Sequence, residues 1–154
     1  MNSDEPVWLS QTQQHVWRQW IAAHAELTAA LGRQLNRDCG MSLADFEVLV
    51  RLSEAPEGRV RIVELADAMQ WERSRLSHHL TRMEKRDLIC RRDCPNDRRG
   101  AFAEMTAGGR ELIERAAPGH AEMVRTLFFD DMSAEDLAAI DRLTGSLRSR
   151  LVGL

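Results

Sequence analysis

Residues 72–105 read ERSRLSHHLTRMEKRDLICRRDCPNDRRGAFAEM, and the first fourteen residues of this segment have the apolar spacing of an α-helix. Leu76, Leu80 and Met83 form one apolar line along the helix predicted over residues 72–85. The other faces of this helix carry arginine, serine, histidine and threonine side chains. We therefore expect one side to pack against a core while the polar sides face outward.

The rest of the segment predicts a β-hairpin. Two short runs, residues 88–93 and 101–105, have the length and composition of strands. Residues 94–100 between them read CPNDRRG, and proline, asparagine and aspartate together are typical of a β-turn loop. We expect this loop to hold Arg98 and Arg99 at the tip of the hairpin.

Shorter elements precede this segment. Ser42 and Asp45 have the spacing of a capping box, which predicts a helix that begins at Ser42. The helix should end at the Ala-Pro-Glu-Gly run of residues 55–58, and residues 59–61 should form a very short strand. Residues 62–69 have helical spacing but no good N-cap. The central part of the chain is thus predicted as helix, helix, hairpin.

Long helices are expected on both sides of this central part. Residues 17, 21, 24, 28, 31 and 35, four of them apolar, alternate spacings of four and three within the helix predicted over residues 9–37. This is the seam of a helix that packs along another helix, and Gly40 supplies its stop. A second long helix is predicted over residues 106–131, capped by its first residue and kinked at Pro118, and Ser133 opens the last helix. The terminal stripes have no obvious partner within one small protomer, so we expect a homodimer.

Composition excludes several classes of protein. The 154 residues are 44% apolar and 29% charged, the proportions of an ordinary globular domain. No stretch is apolar enough to span a bilayer or to serve as a signal peptide, so we expect a cytoplasmic protein. The three cysteines are an odd number with irregular spacing, which does not predict a disulfide framework.

The net charge of −3 hides a segregation along the chain. Residues 1–58 hold 4 basic against 8 acidic side chains, and residues 100–154 hold 6 against 9, whereas residues 59–99 hold 11 against 7. Lys85 is the only lysine, so the basic side chains of the middle segment are nearly all arginine. Arginine suits two-bond contacts with phosphate or guanine, which points to nucleic acid as the partner.

Two short helices, a turn and a basic hairpin form a winged helix-turn-helix pattern, and each part suits duplex DNA. The major groove is about 12 Å wide and admits one helix, and residues 72–85 have the polar outer side that reading bases requires. An arginine at the hairpin tip can enter a narrow minor groove, where the negative potential attracts it. Asp97 can orient one of the tip arginines through its carboxylate. The predicted fold class is mainly α with a small β-hairpin wing.

The motifs of this region resemble those of the MarR family of transcriptional regulators. Residues 97–99 (DRR) followed by residues 105–112 (MTAGGREL) are similar to the D-x-R wing and the L-T-x-x-G-x-x-L that follows it in that family. Residues 82–89 (RMEKRDLI) resemble its R-L-E-K-R-G-L-I, and residues 64–66 match its E-L-A. Asp87 stands where the family usually has glycine, a position that requires a left-handed backbone, which aspartate adopts more readily than most residues.

The resemblance covers nearly the whole chain and implies how the protein works. Residues 9–40 and 106–151 would form the dimerisation region, and residues 42–105 the DNA-binding lobe. Such dimers bind pseudo-palindromic operators in double-stranded DNA and usually repress a nearby gene. The resemblance assigns DNA contacts to six residues: Ser74, Arg75, Ser77, His78, Arg82 and Arg99. Arg73 and Arg98 are additional candidates for DNA contacts, and Asp97 is the expected support of the wing.

The resemblance also implies a binding space for a small aromatic or acidic effector between the dimer helices and the reading lobe. Five residues are candidates for its lining: Trp17, Trp20, His24, Phe46 and Arg51. Ordinary packing between helices explains the same residue types, so both interpretations stay open at this point.

Other classes of function have little support. The chain lacks G-x-S-x-G, H-E-x-x-H and a phosphate-binding glycine loop, so we expect neither an enzyme nor a cofactor. Adjacent His78 and His79 point about 100° apart on a helix, the first outward and the second partly packed, and Cys90 and Cys94 lack a second ligand pair, so we expect no metal site. The alternative is a winged-helix module that binds protein instead of DNA, but the arginines concentrated in the reading helix and wing argue against it.

Overall fold

The computed structural model describes residues 7–94 and 97–152, and for residues 94 and 97–99 it describes the backbone only. The fold is mainly α-helical with one small antiparallel sheet, as the sequence predicts. The helices are α1 (Gln11–Cys39), α2 (Leu43–Glu54), α3 (Ile62–Met69), α4 (Arg73–Lys85), α5 (Ala107–Val124) and α6 (Ala134–Leu151). The strands are β1 (Arg59–Arg61), β2 (Ile89–Cys94) and β3 (Asp97–Met105).

The helix ends follow local capping chemistry. Ser42 caps α2 and Ser133 caps α6, each in a capping box with the aspartate three residues later, and both capping boxes confirm the sequence predictions. A third capping box, Ser10 with Gln13, starts α1 slightly later than the predicted residue 9. Gly40, in the left-handed region with φ 62°, ends α1 as predicted.

Asp87 also adopts the conformation expected of it. Its φ of 57° lies in the left-handed region, so aspartate fills the position that glycine usually occupies in the family motif. The backbone N–H of the next residue, Leu88, donates to the carbonyl of Met83 at 3.1 Å. This turn ends α4 and directs the chain into β2.

The sheet has the strand order β1-β3-β2, with both pairs antiparallel. In this register Phe102 lies between Arg61 on one side and Arg92 on the other. The prediction of a loop over residues 94–100 is wrong, because β3 already begins at Asp97 and Cys94 pairs with Asp97. Strand pairing uses backbone groups alone, so a strand can contain polar residues that are typical of loops, and the sequence pattern then predicts a loop.

The helix predicted over residues 106–131 also needs correction. Thr106 caps it as expected, since its hydroxyl accepts the N–H of Gly109 at 3.0 Å. The α-helix α5 passes through Pro118 but stops at Val124, and a π-helical turn occupies Arg125–Phe129. The π-helical turn consists of ordinary helix-compatible residues, RTLFF, so the sequence pattern does not distinguish it from the α-helix before it.

The chain forms two compact units, one up to His120 and one from Ala121 onward. The core of the first unit is built from the C-terminal end of α1, from α2, α3 and α4, from β2 and β3, and from the first half of α5. Its largest fully buried side chains are Leu35, Met41, Leu49, Leu52, Leu65, Leu76, Leu80, Met83, Ile89 and Val48.

Candidate nucleic-acid interface

Helix α4 has one buried side and several exposed polar sides. Leu76, Leu80 and Met83 are fully buried, as the sequence predicts. The predicted DNA-contacting residues of this helix are all exposed: Arg73, Ser74, Arg75, Ser77, His78 and Arg82. The helix therefore presents forked and small polar groups to the outside while its apolar line attaches it to the core, which is the division that groove reading requires.

A buried carboxylate attaches α4 to α2. Asp45 is only 3% exposed, and its two oxygens lie 3.1 Å from Nε2 of His79 and 2.7 Å from Nη1 of Arg86. Burial alone would raise the pKa of Asp45, but hydrogen bonds from His79, Arg86 and Ser42 outweigh it and hold this pKa well below its usual range. Arg86 also donates to the carbonyl of Gly40 at 3.1 Å. Asp45 and Arg86 together thus join the ends of α1, α2 and α4.

His79 connects this buried cluster to the outer face of α4. Its Nδ1 accepts a hydrogen bond from Nη2 of Arg82 at 3.0 Å while its Nε2 faces Asp45. This pairing requires the tautomer that carries its proton on Nε2. His79 is buried, whereas the sequence predicts that it is partly packed. The sequence predicts only a helix-capping role for Asp45, and its contacts with His79 and Arg86 were not foreseen.

Trp71 is a further residue that sequence reasoning did not single out. It is half-buried against the core, and the guanidinium carbon of Arg75 lies 4.1 Å from its ring centroid. Its ring also meets the His79 ring edge-on, with centroids 5.4 Å apart and an angle of 88°. The signal in the sequence that could have identified this pair is a tryptophan four residues before an arginine, at the start of a predicted helix.

Arg91 forms its hydrogen bonds within the protein, so not every arginine of the basic segment is available to bind DNA. Its Nη2 donates to the carbonyl of Ser77 at 2.7 Å and to the hydroxyl of Thr81 at 3.1 Å. Its backbone N–H donates to Glu84 at 3.1 Å. These bonds fasten β2 to α4, so Arg91 contributes to the architecture of the lobe rather than to its free positive charge.

The predicted wing residues lie partly outside the described part of the structure. Asp97, Arg98 and Arg99 belong to the backbone of β3, but their side chains are not among those described. The assignment of these residues to the minor groove therefore stays a prediction. The structure adds that they belong to β3, in which Asp97 pairs with Cys94 and Ala101 pairs with Asp93, with a register shift between these two pairs.

A cavity of about 540 Å³ lies between α1, α2 and His120. Three of the five predicted pocket residues line it: His24, Phe46 and Arg51. Trp17 and Trp20 are not among the lining residues and are 56% and 51% exposed. His120 packs on Phe46 with ring centroids 4.3 Å apart, and burial lowers the pKa of this histidine.

The terminal helices carry large exposed apolar side chains. On α1 they are Val16, Trp17, Trp20 and Ile21, and on α6 they are Leu137, Leu143, Leu147 and Leu151. No residue of α6 is buried within the described chain. Scattered apolar residues are normal on a surface, but a stripe along the whole of α6 and a cluster of four such side chains near the start of α1 are typical of an interface.

The described residues form neither a metal site nor a membrane-spanning helix. No group of three or more histidine, cysteine or acidic side chains comes together in the described part of the chain. His78 is exposed whereas His79 is buried against Asp45, so the two rings do not converge. None of the helices in residues 7–152 combines the length and apolarity needed to cross a bilayer.

Comparison with known proteins gives strong matches. The model of the MarR family matches residues 41–100. The crystal structure of AbsC, a MarR family transcriptional regulator from Streptomyces coelicolor, is 38% identical with a TM-score of 0.91, over 97% of this chain and 100% of AbsC. Sco3205, another MarR family transcriptional regulator from that organism, crystallised in complex with DNA, is 42% identical with a TM-score of 0.91, over 97% of this chain and 93% of its own.

A more distant relative is the HTH-type transcriptional repressor YetL of Bacillus subtilis, which is 25% identical over 112 residues. That match covers 73% of this chain and 66% of the length of YetL, just under two thirds. The two Streptomyces regulators, by contrast, match over nearly their whole length at identities above 30%. The chain therefore belongs to the MarR family of transcriptional regulators.

Proposed function

We propose that this protein binds double-stranded DNA as a homodimer, at a pseudo-palindromic operator, and represses a nearby gene. The observation that carries the proposal is the outer face of α4, where six polar residues are exposed on a helix whose other side is fully buried. The relative Sco3205, at 42% identity, was crystallised in complex with DNA, and the relative YetL is named a repressor. A regulator of this kind acts where the chromosome lies, so we place the protein in the cytoplasm.

The helix and the wing share base reading and phosphate neutralisation in this proposal. Small side chains and an imidazole on α4 suit contacts with base edges, whereas guanidinium groups suit both phosphate and guanine. The α4 contacts are Arg73, Ser74, Arg75, Ser77, His78 and Arg82, and the wing contacts are Arg98 and Arg99 with Asp97 in support.

The proposed interface can be tested with DNA selected from a random pool and with the DNA upstream of the protein's own gene. We expect retardation at low salt and an affinity that falls steeply as salt rises, because arginine contacts displace counterions. Arg99→Ala should weaken binding to all sequences by about tenfold or more and lower the salt slope by about 2 per dimer, whereas His78→Ala should alter the preferred sequence.

Arg142→Ala, in α6 and outside the predicted reading lobe, is the matched control and should bind as the wild type does. Failure of the wild type to retard any duplex at low salt would refute the proposal and favour the winged-helix module that binds protein. Equal losses of DNA affinity for Arg99→Ala and Arg142→Ala would refute the assignment of Arg99 as a DNA contact of the wing.

The dimer is supported by the exposed apolar stripes of α1 and α6. Residues 9–40 and 106–151 form the dimerisation region in this proposal, and residues 42–105 form the reading lobe of each protomer. Pairing of the stripes removes large apolar side chains from water, which stabilises the assembly in proportion to the area buried. Two lobes in one particle then match the two half-sites of an operator.

Charges placed in the α6 stripe should break this dimer. We expect Leu143→Glu combined with Leu147→Glu to give monomers in sedimentation or light scattering at micromolar concentration, because each dimer would bury four carboxylates. Ser149→Glu, on the opposite side of the same helix, should remain dimeric. A wild-type protein that is monomeric, or a double variant that stays dimeric, would contradict the interface.

A small aromatic or acidic effector is the remaining part of the proposal. The cavity beside His24, Phe46 and Arg51 has the volume of a small-molecule site and combines aromatic, basic and apolar lining. Glu47 and Glu54 also line it, so an acidic group would have to approach from the side of Arg51 and the histidines. Occupancy would change the spacing of the two recognition helices and release the DNA.

A further inference from the structure

We propose that Trp71 is a positioning residue for DNA recognition, whose ring holds the guanidinium of Arg75 in place on the outer face of α4 before DNA arrives. The guanidinium carbon lies 4.1 Å from the centroid of the ring, well within the range of a cation–π contact. The inference rests on the proposed function, since it concerns how the reading helix meets DNA.

The ring is a fixed support. Trp71 packs on the core from the turn between α3 and α4, and its backbone N–H donates to the carbonyl of Ala66 at 3.0 Å. The edge-on contact with His79 closes another side, and Nε2 of His79 lies 3.1 Å from Asp45. The ring is thus restrained by its backbone, by the core and by the buried His79 ring together.

Stacking restrains Arg75 without using its hydrogen-bond donors. A guanidinium presents its flat face to an aromatic ring, while its N–H groups point outward in the plane of the group. Among the described residues none accepts a hydrogen bond from Arg75, whereas the Nη2 group of Arg91 already donates to Ser77 and Thr81. Arg75 is therefore ordered and still able to form two bonds with guanine or phosphate.

An ordered side chain binds more tightly than a mobile one, because less rotamer freedom is lost in the complex. For a single long side chain and one surface cation–π contact, we expect the loss of the ring to weaken binding by roughly three- to tenfold per recognition helix. Removal of the ring should weaken DNA binding only when Arg75 is present. This dependence on Arg75 distinguishes a positioning role from a general structural role.

A double-mutant cycle tests this coupling. The dissociation constant is measured for the wild type, Trp71→Leu, Arg75→Ala and the double variant, on one duplex that the wild-type protein selects from random DNA. We expect Trp71→Leu to weaken binding in the wild-type background but by less than twofold in the Arg75→Ala background. In an Arg73→Ala background, the matched control on the same helix, it should keep its full effect. Trp71→Phe, which retains an aromatic face, should restore most of the affinity.

The proposal is overturned if Trp71→Leu costs as much with Arg75→Ala as without it, or if it costs nothing. Thermal unfolding of each variant shows whether the lobe still folds. If Trp71→Leu fails to fold, Arg75→Lys tests the inference instead, since lysine keeps the charge but cannot stack its planar group on the ring. Arg75→Lys should weaken DNA binding more than Arg73→Lys does, and equal effects of the two variants overturn the inference. Absence of DNA binding by the wild-type protein would refute the proposed function, a different outcome from any of these.

Discussion

Gly109→Ala should lower the melting temperature by about 10 °C, because alanine has no room at the start of α5. A Cβ atom built on Gly109 would lie 2.1 Å from the carbonyl oxygen of Leu88 and 3.1 Å from Cγ of Met105. The carbonyl cannot retreat cheaply, since it accepts the N–H of Thr106 at 3.2 Å. An overpacked site of this kind costs about 3 kcal/mol, and for a chain of this length each kcal/mol lowers the melting temperature by about 2–4 °C.

Gly145→Ala is the matched control for this experiment. No atom of the described residues lies within 4 Å of a Cβ at Gly145 in α6, so alanine should raise the helix propensity there and stabilise the protein by up to about 1 kcal/mol. Thermal unfolding followed by circular dichroism measures both variants. Equal melting temperatures for the two would mean that the close approach of α5 to Leu88 does not constrain the fold.

Asp45→Asn should destabilise the reading lobe by about 3 kcal/mol at pH 7. Its neutral amide cannot replace the carboxylate that faces His79 and Arg86, and removing one member of a buried ion pair leaves the other groups poorly compensated. The share of Arg86 is reduced by solvent screening, because its side chain is 43% exposed. Urea unfolding measures the loss, with the exposed Asp67→Asn on α3 as a control that should change little.

The same carboxylate gives the stability a dependence on pH. The pKa of Asp45 is lower in the folded protein than in the unfolded chain, where aspartate titrates near about 3.9. Its contribution is therefore complete above about pH 4 and is lost as the pH falls through the folded pKa. We expect the difference between wild type and Asp45→Asn to shrink between pH 4 and pH 2. A difference that stays constant over this interval would contradict the ion pair.

Features set by neighbouring residues were readable from the sequence. The capping boxes at Ser42 and Ser133, the helix stop at Gly40 and the left-handed Asp87 each depend on a few consecutive residues, and the structure has all of them. The buried line of α4 was equally clear, because helical spacing alone separates Leu76 and Leu80 from their polar neighbours.

Features set by contacts between distant segments could not be predicted from the sequence. Asp45 and Arg86 are 41 residues apart, and no spacing rule connects them. The extension of β3 to Asp97 rests on backbone pairing that polar side chains conceal. Trp17 and Trp20, which the family resemblance made candidates for the effector space, do not line the cavity beside Phe46 and His120, and their assignment stays a prediction. Trp71 was overlooked because its role depends on the position of the Arg75 and His79 side chains in space.

The bonds made by Arg91 also bear on how the proposed DNA complex would come apart. This one side chain joins β2 to two successive turns of α4 through Ser77 and Thr81, so we expect the strand and the helix to move together. In the proposed complex, a displacement of the lobe would then withdraw the contacts of the helix and of the wing in the same motion. We therefore expect each half-site to be released in one step, without an intermediate in which only the wing stays bound.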